Sequence, residues 1–202
     1  MLETGDEAEG SSIQKLNESI SINGMKLEGA HNRENAIAAA AAVSLMGVSA
    51  GAIEGTLEEF AGLPHRVQFV REVGGVRYYN DSKGTNVGAV EKSLVGFDSP
   101  AVLIAGGLDK GSDFTPLRPF LKDRARALVL MGAAKEKMME QIGNVVPTEL
   151  AQDMKDAVER ARSLAKPGDV VLLSPACASF DMFRDYGHRG DVFQQIVGEL
   201  PE

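Results

Sequence analysis

From residue 67 to residue 200, short runs of β-branched and aromatic residues alternate with stretches of helical apolar spacing, and few folds satisfy that alternation. Runs 67–73, 76–80, 101–105, 127–131, 145–148 and 170–173 read as strands. Stretches 87–94, 135–142, 153–165 and 191–200 read as helices. Gly74-Gly75 is a two-residue connection of the hairpin kind, so the first two strands are expected to be antiparallel. The order predicts an α/β fold, a Rossmann-like and mostly parallel sheet with helices on both faces. Upstream, 32–46 is an alanine-rich helix closed by Gly47, and 49–60 is a second helix stopped by Gly62-Leu63-Pro64. The weakly alternating segment 20–27 is compatible with a short hairpin. Two helices and a partial hairpin are too little for a core, so 1–62 reads as the end of a larger domain and 63–202 as a complete one.

Charge narrows the function. With 202 residues and a net charge of −8, the chain is a poor nucleic-acid binder, because phosphate neutralisation needs an excess of Lys and Arg. Some of the acidity lies at Glu3, Asp6, Glu7 and Glu9, in a start expected to be disordered over about the first 12 residues. No apolar segment approaches the roughly 18 residues of a membrane span, and no secretory leader is expected. Cys177, the one cysteine, fits a reducing cytoplasm, and beside Ala176 and Ala178 it reads as a small buried residue rather than a nucleophile. His31, His65 and His188 are too scattered for a zinc site, and no metal ligand is expected in the chain.

In an open α/β sheet, ligands bind beyond the carboxyl ends of the strands. The strand ending at Asn80 runs into Asp81-Ser82-Lys83-Gly84-Thr85-Asn86, and the one ending at Ala105 into Gly106-Gly107-Leu108-Asp109-Lys110-Gly111. The last runs into Ser174-Pro175-Ala176-Cys177-Ala178-Ser179, whereas Met131-Gly132-Ala133-Ala134 offers no charged group. Two lysines and several hydroxyls on one rim of an acidic protein point to an anionic ligand, with Lys83 and Lys110 dominating its recognition. Gly106-Gly107 would let backbone approach that ligand closely. The plainer alternative, that Ser82 or Thr85 merely caps the following helix and Lys83 is solvated, loses weight beside the other strand ends. No Gly-Lys-Ser/Thr phosphate loop is present. Arg66 and Arg189 are equally compatible with surface ion pairs and with ligand contact.

These segments resemble the Mur ligases of peptidoglycan synthesis over residues 27–200. Gly29-Ala30-His31-Asn32 with Asn35, Gly62-Leu63-Pro64-His65-Arg66 and Asp81 are similar to features shared across that superfamily. The three strand-end segments and His188-Arg189-Gly190-Asp191 are similar to its D-glutamate-adding branch. Gly84 stands where alanine is common, a departure expected to matter little. The resemblance implies an ATP-dependent, magnesium-assisted ligase, cytoplasmic and monomeric when intact. It would phosphorylate the carboxylate of UDP-N-acetylmuramoyl-L-alanine and let the amine of D-glutamate attack the acyl phosphate. It implies Asn32 and Asn35 near adenine, Arg66 and Asp81 on the nucleotide, and Lys83 and Lys110 at the reacting end. Thr85, Lys110, Ser179 and Tyr186 would hold D-glutamate. By the same resemblance, 1–62 is the tail of a central ATP-binding domain, most of whose metal ligands lie outside this chain, and the 202 residues alone are expected to be inactive.

Two other readings compete. One is a stand-alone, non-catalytic module for an acidic amino acid or nucleotide. The other is a different Mur ligase or a folylpolyglutamate synthase, which would keep Asn35, Arg66 and Asp81 without needing the continuation 82–86.

Overall fold

The computed structural model describes residues 20–26 and 30–202. They divide into two compact units, Met1–Gly62 and Leu63–Glu202. In the first, α1 (Ala30–Leu45) and α2 (Ala50–Glu59) close over a small cluster of Ile20, Ala40 and Ile53, flanked by Val43 and Leu57. The expected hairpin over 20–27 is not formed among the described residues, and Leu27 lies outside them. A turn does form at Asn23-Gly24, where the Met25 amide donates to the Ile22 carbonyl at 3.3 Å. Its arms do not pair, because Ile20 packs into the cluster and the Ser21 amide donates to the Glu54 carboxylate of α2 at 2.7 Å. The expectation of disorder over the first residues also lies outside the described part of the chain.

The second unit is a six-stranded sheet in the order β1-β2-β6-β3-β4-β5. Its strands are β1 (Gln68–Val73), β2 (Val76–Asn80), β3 (Ala101–Gly106), β4 (Ala125–Met131), β5 (Thr148–Leu150) and β6 (Val170–Leu173). β1 pairs antiparallel with β2 and every other pairing is parallel. Gly74 and Gly75 both have positive φ, 59° and 76°, as a tight hairpin turn with the right twist demands. Every residue of β3 and β6 is buried, which is why these strands read as continuous apolar runs rather than alternating ones.

Alternate side chains of the central strands enter two cores. Leu103, Leu128, Leu130 and Leu172 pack under α3 (Val87–Val95), α4 (Leu117–Arg124) and α5 (Lys135–Ile142). Val102, Ile104, Val129, Val171 and Leu173 pack under α6 (Met154–Leu164) and α7 (Tyr186–Gly198) on the other face. The chain therefore leaves β2 and β3 towards one face and β6, which lies between them, towards the other. That reversal opens a crevice at the carboxyl ends of these strands, the place where such folds bind ligands.

Three elements differ from the sequence reading. Helix α4 was not expected, since Pro119 and a run of charges hide its apolar face of Leu117, Phe120 and Leu121. Proline is tolerated there because the first-turn N–H groups have no intrahelical partner. β5 begins at Thr148 rather than Val145, as Pro147 cannot donate and only its carbonyl joins β4, accepting from the Leu128 amide at 2.9 Å. α7 begins at Tyr186 rather than Asp191, capped by Asp185, whose carboxylate accepts the His188 amide. Leu172, fully buried in the middle strand, tests the sheet: Leu172→Ala should lower stability by about 2–5 kcal/mol in urea unfolding.

Candidate active site

β2 and β6 end level with one another, since Asn80 pairs with Leu173, and β3 runs two residues past Ile104, the partner of Leu173, to Gly106. The loops that follow are stitched side by side. The Ala176 amide donates to the Gly84 carbonyl at 2.9 Å, joining the β2 and β6 loops. The Gly106 amide donates to the Pro175 carbonyl at 2.8 Å, and Leu108 and Ala178 exchange both backbone hydrogen bonds, joining the β6 and β3 loops. The close approach at Gly106-Gly107 is to protein: an added Cβ would lie 2.0 Å from the Met131 carbonyl oxygen or 2.3 Å from that of Ala178. These glycines therefore let strand ends crowd together, which explains them without the ligand approach read from the sequence.

Asp81 lies at the root of the first loop and is 5% exposed. Its Oδ2 accepts the hydroxyls of Ser93 and Ser174, each at 2.7 Å, and its Oδ1 accepts the Val67 amide at 3.3 Å. Burial is the largest influence on this carboxyl and pushes its pKa up, against those three hydrogen bonds and the charge of Arg66. Val67 and His65 are non-glycine residues with positive φ, 46° and 61°. Such strain persists only when surrounding contacts hold it. Here the Asp81 carboxylate holds Val67, and the Lys83 amide holds the His65 carbonyl at 3.0 Å.

The helix cap is neither Ser82 nor Thr85. Asn86 caps α3, its side-chain oxygen accepting the Ala89 amide at 2.9 Å, which leaves Ser82 to the interior. The Ser82 hydroxyl donates to the Tyr186 carbonyl at 2.7 Å and accepts from Arg189 Nε at 2.9 Å. The Lys83 ammonium sits 3.8 Å from the centre of the Tyr186 ring, a cation–π contact. Tyr186 in turn meets His65 edge-on. Asn80, fully buried, donates to His65 Nδ1 at 3.0 Å and to the Gly190 carbonyl at 3.2 Å.

On the β3 loop, Lys110 is exposed and Asp109 is paired with Lys137 of α5 at 2.7 Å. The Lys137 hydrogen bond is the main reason the Asp109 carboxyl is held below the usual carboxylate range. Lys137 also donates to the Ser112 carbonyl, so it orders the loop that carries Lys110. Thr85 is half-buried, Ser179 is buried and Arg66 is exposed. Asp181, beyond Ser179, accepts the Ala133 amide at 2.8 Å, bringing a charge to the β4 end that its own residues lack. Asn32 and Asn35 lie in the other unit, three apart on one side of α1. Among the described residues, no group of three or more His, Cys, Asp or Glu side chains is arranged to hold a metal ion, and no helix is long and apolar enough to cross a membrane.

Residues 65–177 match the family model described as Mur ligase, glutamate ligase domain. The chain belongs to the Mur ligase family. It is 53% identical over 177 residues to the UDP-N-acetylmuramoylalanine–D-glutamate ligase of Geotalea uraniireducens, covering 88% of this chain and 39% of that one. It is 49% identical over 189 residues to the enzyme of the same name from Bordetella pertussis, covering 92% and 37%. The chain thus spans about two fifths of the length of the curated relatives it matches. Among solved structures, it superposes on a UDP-N-acetylmuramate–alanine ligase from Thermotoga maritima with a TM-score of 0.65 at 16% identity, covering 86% of this chain and 39% of that one. An ADP complex of Mycobacterium tuberculosis folylpolyglutamate synthase superposes with 0.63 at 17%, covering 88% and 42%. At such identities these two show the shared fold.

Within this Mur ligase domain, sequence reasoning missed Ser93 and Lys137 and gave no role of their own to Asn80 and Ser174 of the strand-end segments, all four of which hold site residues. Ser93 was hidden on a helix face, seven residues past the cap. Gly84 was expected to tolerate alanine. Yet an added Cβ would lie 2.6 Å from Asp81 Oδ2 and 2.7 Å from Ser174 Oγ, so alanine requires that hydrogen bond to shift.

Asp81 binds its proton more tightly in the folded chain than in the unfolded one. Its contribution to stability therefore declines as pH rises from the unfolded carboxyl value of ~3.9 through the raised folded pKa. In urea unfolding across that range, wild type should lose stability relative to Asp81→Asn as pH rises; a constant difference would contradict the burial argument. Cys177, buried with its thiol pKa pushed up to about 12 chiefly by burial, should resist alkylation in the native chain and react readily in urea.

Proposed function

We propose that this chain is the C-terminal part of an ATP-dependent ligase that adds D-glutamate to UDP-N-acetylmuramoyl-L-alanine through an acyl phosphate, in cytoplasmic peptidoglycan synthesis. The observation that carries the reading is the set of stitched loops, with Lys83, Thr85, Lys110 and Ser179 on one carboxyl-end rim, in a chain 53% identical to a curated ligase of that name. The unit Met1–Gly62 is then the tail of the central ATP-binding domain, and the intact enzyme works as a monomer.

Each group has a task in this reading. Lys110, Thr85, Ser179 and Tyr186 bind the D-glutamate carboxylates, and Lys83, oriented by the Tyr186 ring, stabilises charge at the reacting end. Holding the dicarboxylate at both ends aims its amine at the acyl carbon, which removes much of the entropic barrier to attack. ATP would supply the phosphoryl group that activates the alanine carboxylate. The residues present fit its nucleoside end. Asp81 Oδ1 accepts the Val67 amide and keeps a lone pair for a ribose hydroxyl, and the exposed Arg66 lies near enough to act on the Asp81 carboxyl. Among the described residues no group of three or more His, Cys, Asp or Glu side chains is arranged to hold magnesium.

The competing reading, a non-catalytic module for an acidic amino acid or nucleotide, keeps the same anion site. Kinetics separate the two. In a polypeptide extended to the length of the curated relatives, Lys110→Ala should raise the KM for D-glutamate roughly tenfold to a hundredfold and leave that for ATP nearly unchanged, the effect of losing one charge-assisted contact. An unaltered D-glutamate dependence would remove Lys110 from the site. The 202 residues alone should release no phosphate from ATP in a substrate-dependent manner, since no Gly-Lys-Ser/Thr phosphate loop lies within them.

A further inference from the structure

Arg189 lies in the first turn of α7, is 1% exposed and heads the largest fully buried side chains of the described chain. Buried arginines are nearly always paired with a carboxylate, because an unpaired charge is costly away from water. This one makes no ion pair among the described residues. Nε donates to the Ser82 hydroxyl at 2.9 Å and Nη2 to the Ser82 carbonyl at 2.8 Å. Nη1 donates to the carbonyls of Cys177 and Ala178 at 3.1 and 3.2 Å. All four acceptors are neutral, and they belong to two different loops. Burial lowers its pKa to about 10, against the charges of Asp181 and Asp81 and the Cys177 thiol, so it is still a cation at neutral pH.

The positions of those acceptors give the arginine its significance. Ser82 immediately precedes Lys83, and Ala178 immediately precedes Ser179. The Ser82 hydroxyl passes the constraint on to the Tyr186 carbonyl at 2.7 Å, and the Tyr186 ring carries the Lys83 ammonium at 3.8 Å. One planar guanidinium thus fixes the β2 loop, the β6 loop and the start of α7 to one another. We propose that Arg189 is a positioning residue that sets Lys83 and Ser179 at a fixed separation, so that a dicarboxylate held at Ser179 presents its amine at the reacting end served by Lys83. The inference rests on the D-glutamate reading for its ligand, while the coupling of Arg189 to Lys83 stands apart from it. Geometry and charge make different demands. A lysine in place of Arg189 keeps the charge, but its single ammonium cannot reproduce the planar fork that spans both loops.

The test uses the 202-residue chain with 13C-labelled lysine. In wild type, the Lys83 ε-methylene is bonded to the ammonium that sits over the Tyr186 ring, so its protons should be shifted upfield by the ring current, a signal assigned by its loss in Lys83→Gln. In Arg189→Lys and Arg189→Met alike, that shift should fall by more than half while the amide spectrum of the β3 and β6 strands is unchanged. D-glutamate affinity should fall about tenfold in both, the size of one lost charge-assisted contact. Should either variant not fold, Ser82→Ala keeps the guanidinium and its three carbonyl acceptors, and should still reduce the Lys83 shift. An unchanged Lys83 signal in the folded variants overturns the proposal, as does wild-type affinity in Arg189→Lys, which would reduce Arg189 to a source of charge. If wild type itself does not bind D-glutamate, the ligand reading fails, and the Lys83 signal still decides the role of Arg189.

Discussion

The parallel pairing of β6 with both β2 and β3 is the constraint on which the rest depends. It inserts the last strand between the earlier two, and the chain leaves it towards the opposite face. The loops of three adjacent strands therefore emerge at the same edge of the sheet. Hydrogen bonds from Ala176 to Gly84 and between Leu108 and Ala178 then turn three separate loops into one surface. Without β6 in that place, Lys83 and Lys110 would stand on strands with a gap between them.

Two buried charges give this surface its stiffness. Asp81 ties the strained residue Val67 to Ser93 of α3 and to Ser174 at the end of β6. Arg189 ties the Ser82 turn to Cys177 and Ala178. Each is hydrogen-bonded to neutral partners rather than to the other. A surface ion pair such as Arg160 with Glu149 has no such effect, since water screens it.

Much of this was legible in the residues. Strand-end positions announced themselves because polar or charged residues follow three of the apolar runs; that alone pointed to Lys83 and Lys110, while Ser179 took its role from the family resemblance. The parallel sheet followed from the alternation of elements. What stayed hidden were contacts between distant segments. Ser93 and Lys137 look like ordinary helix-face residues until the sheet order brings them beneath Asp81 and Asp109. Arg189 read as an even choice between surface and ligand because Gly187 and Gly190 masked the start of α7, and burial cannot be seen in a sequence. Gly106-Gly107 was attributed to a ligand when neighbouring backbone accounts for it.

The central claim is that the stitched rim binds a dicarboxylate as a single site. Backbone amide shifts of the 15N-labelled 202-residue chain, followed as D-glutamate is added to saturation, test this most directly. The account expects the perturbed amides to fall within residues 82–86, 107–111 and 178–187, moving together with one dissociation constant. Saturating D-glutamate that left those three loops unmoved, or moved them with separate affinities, would contradict it.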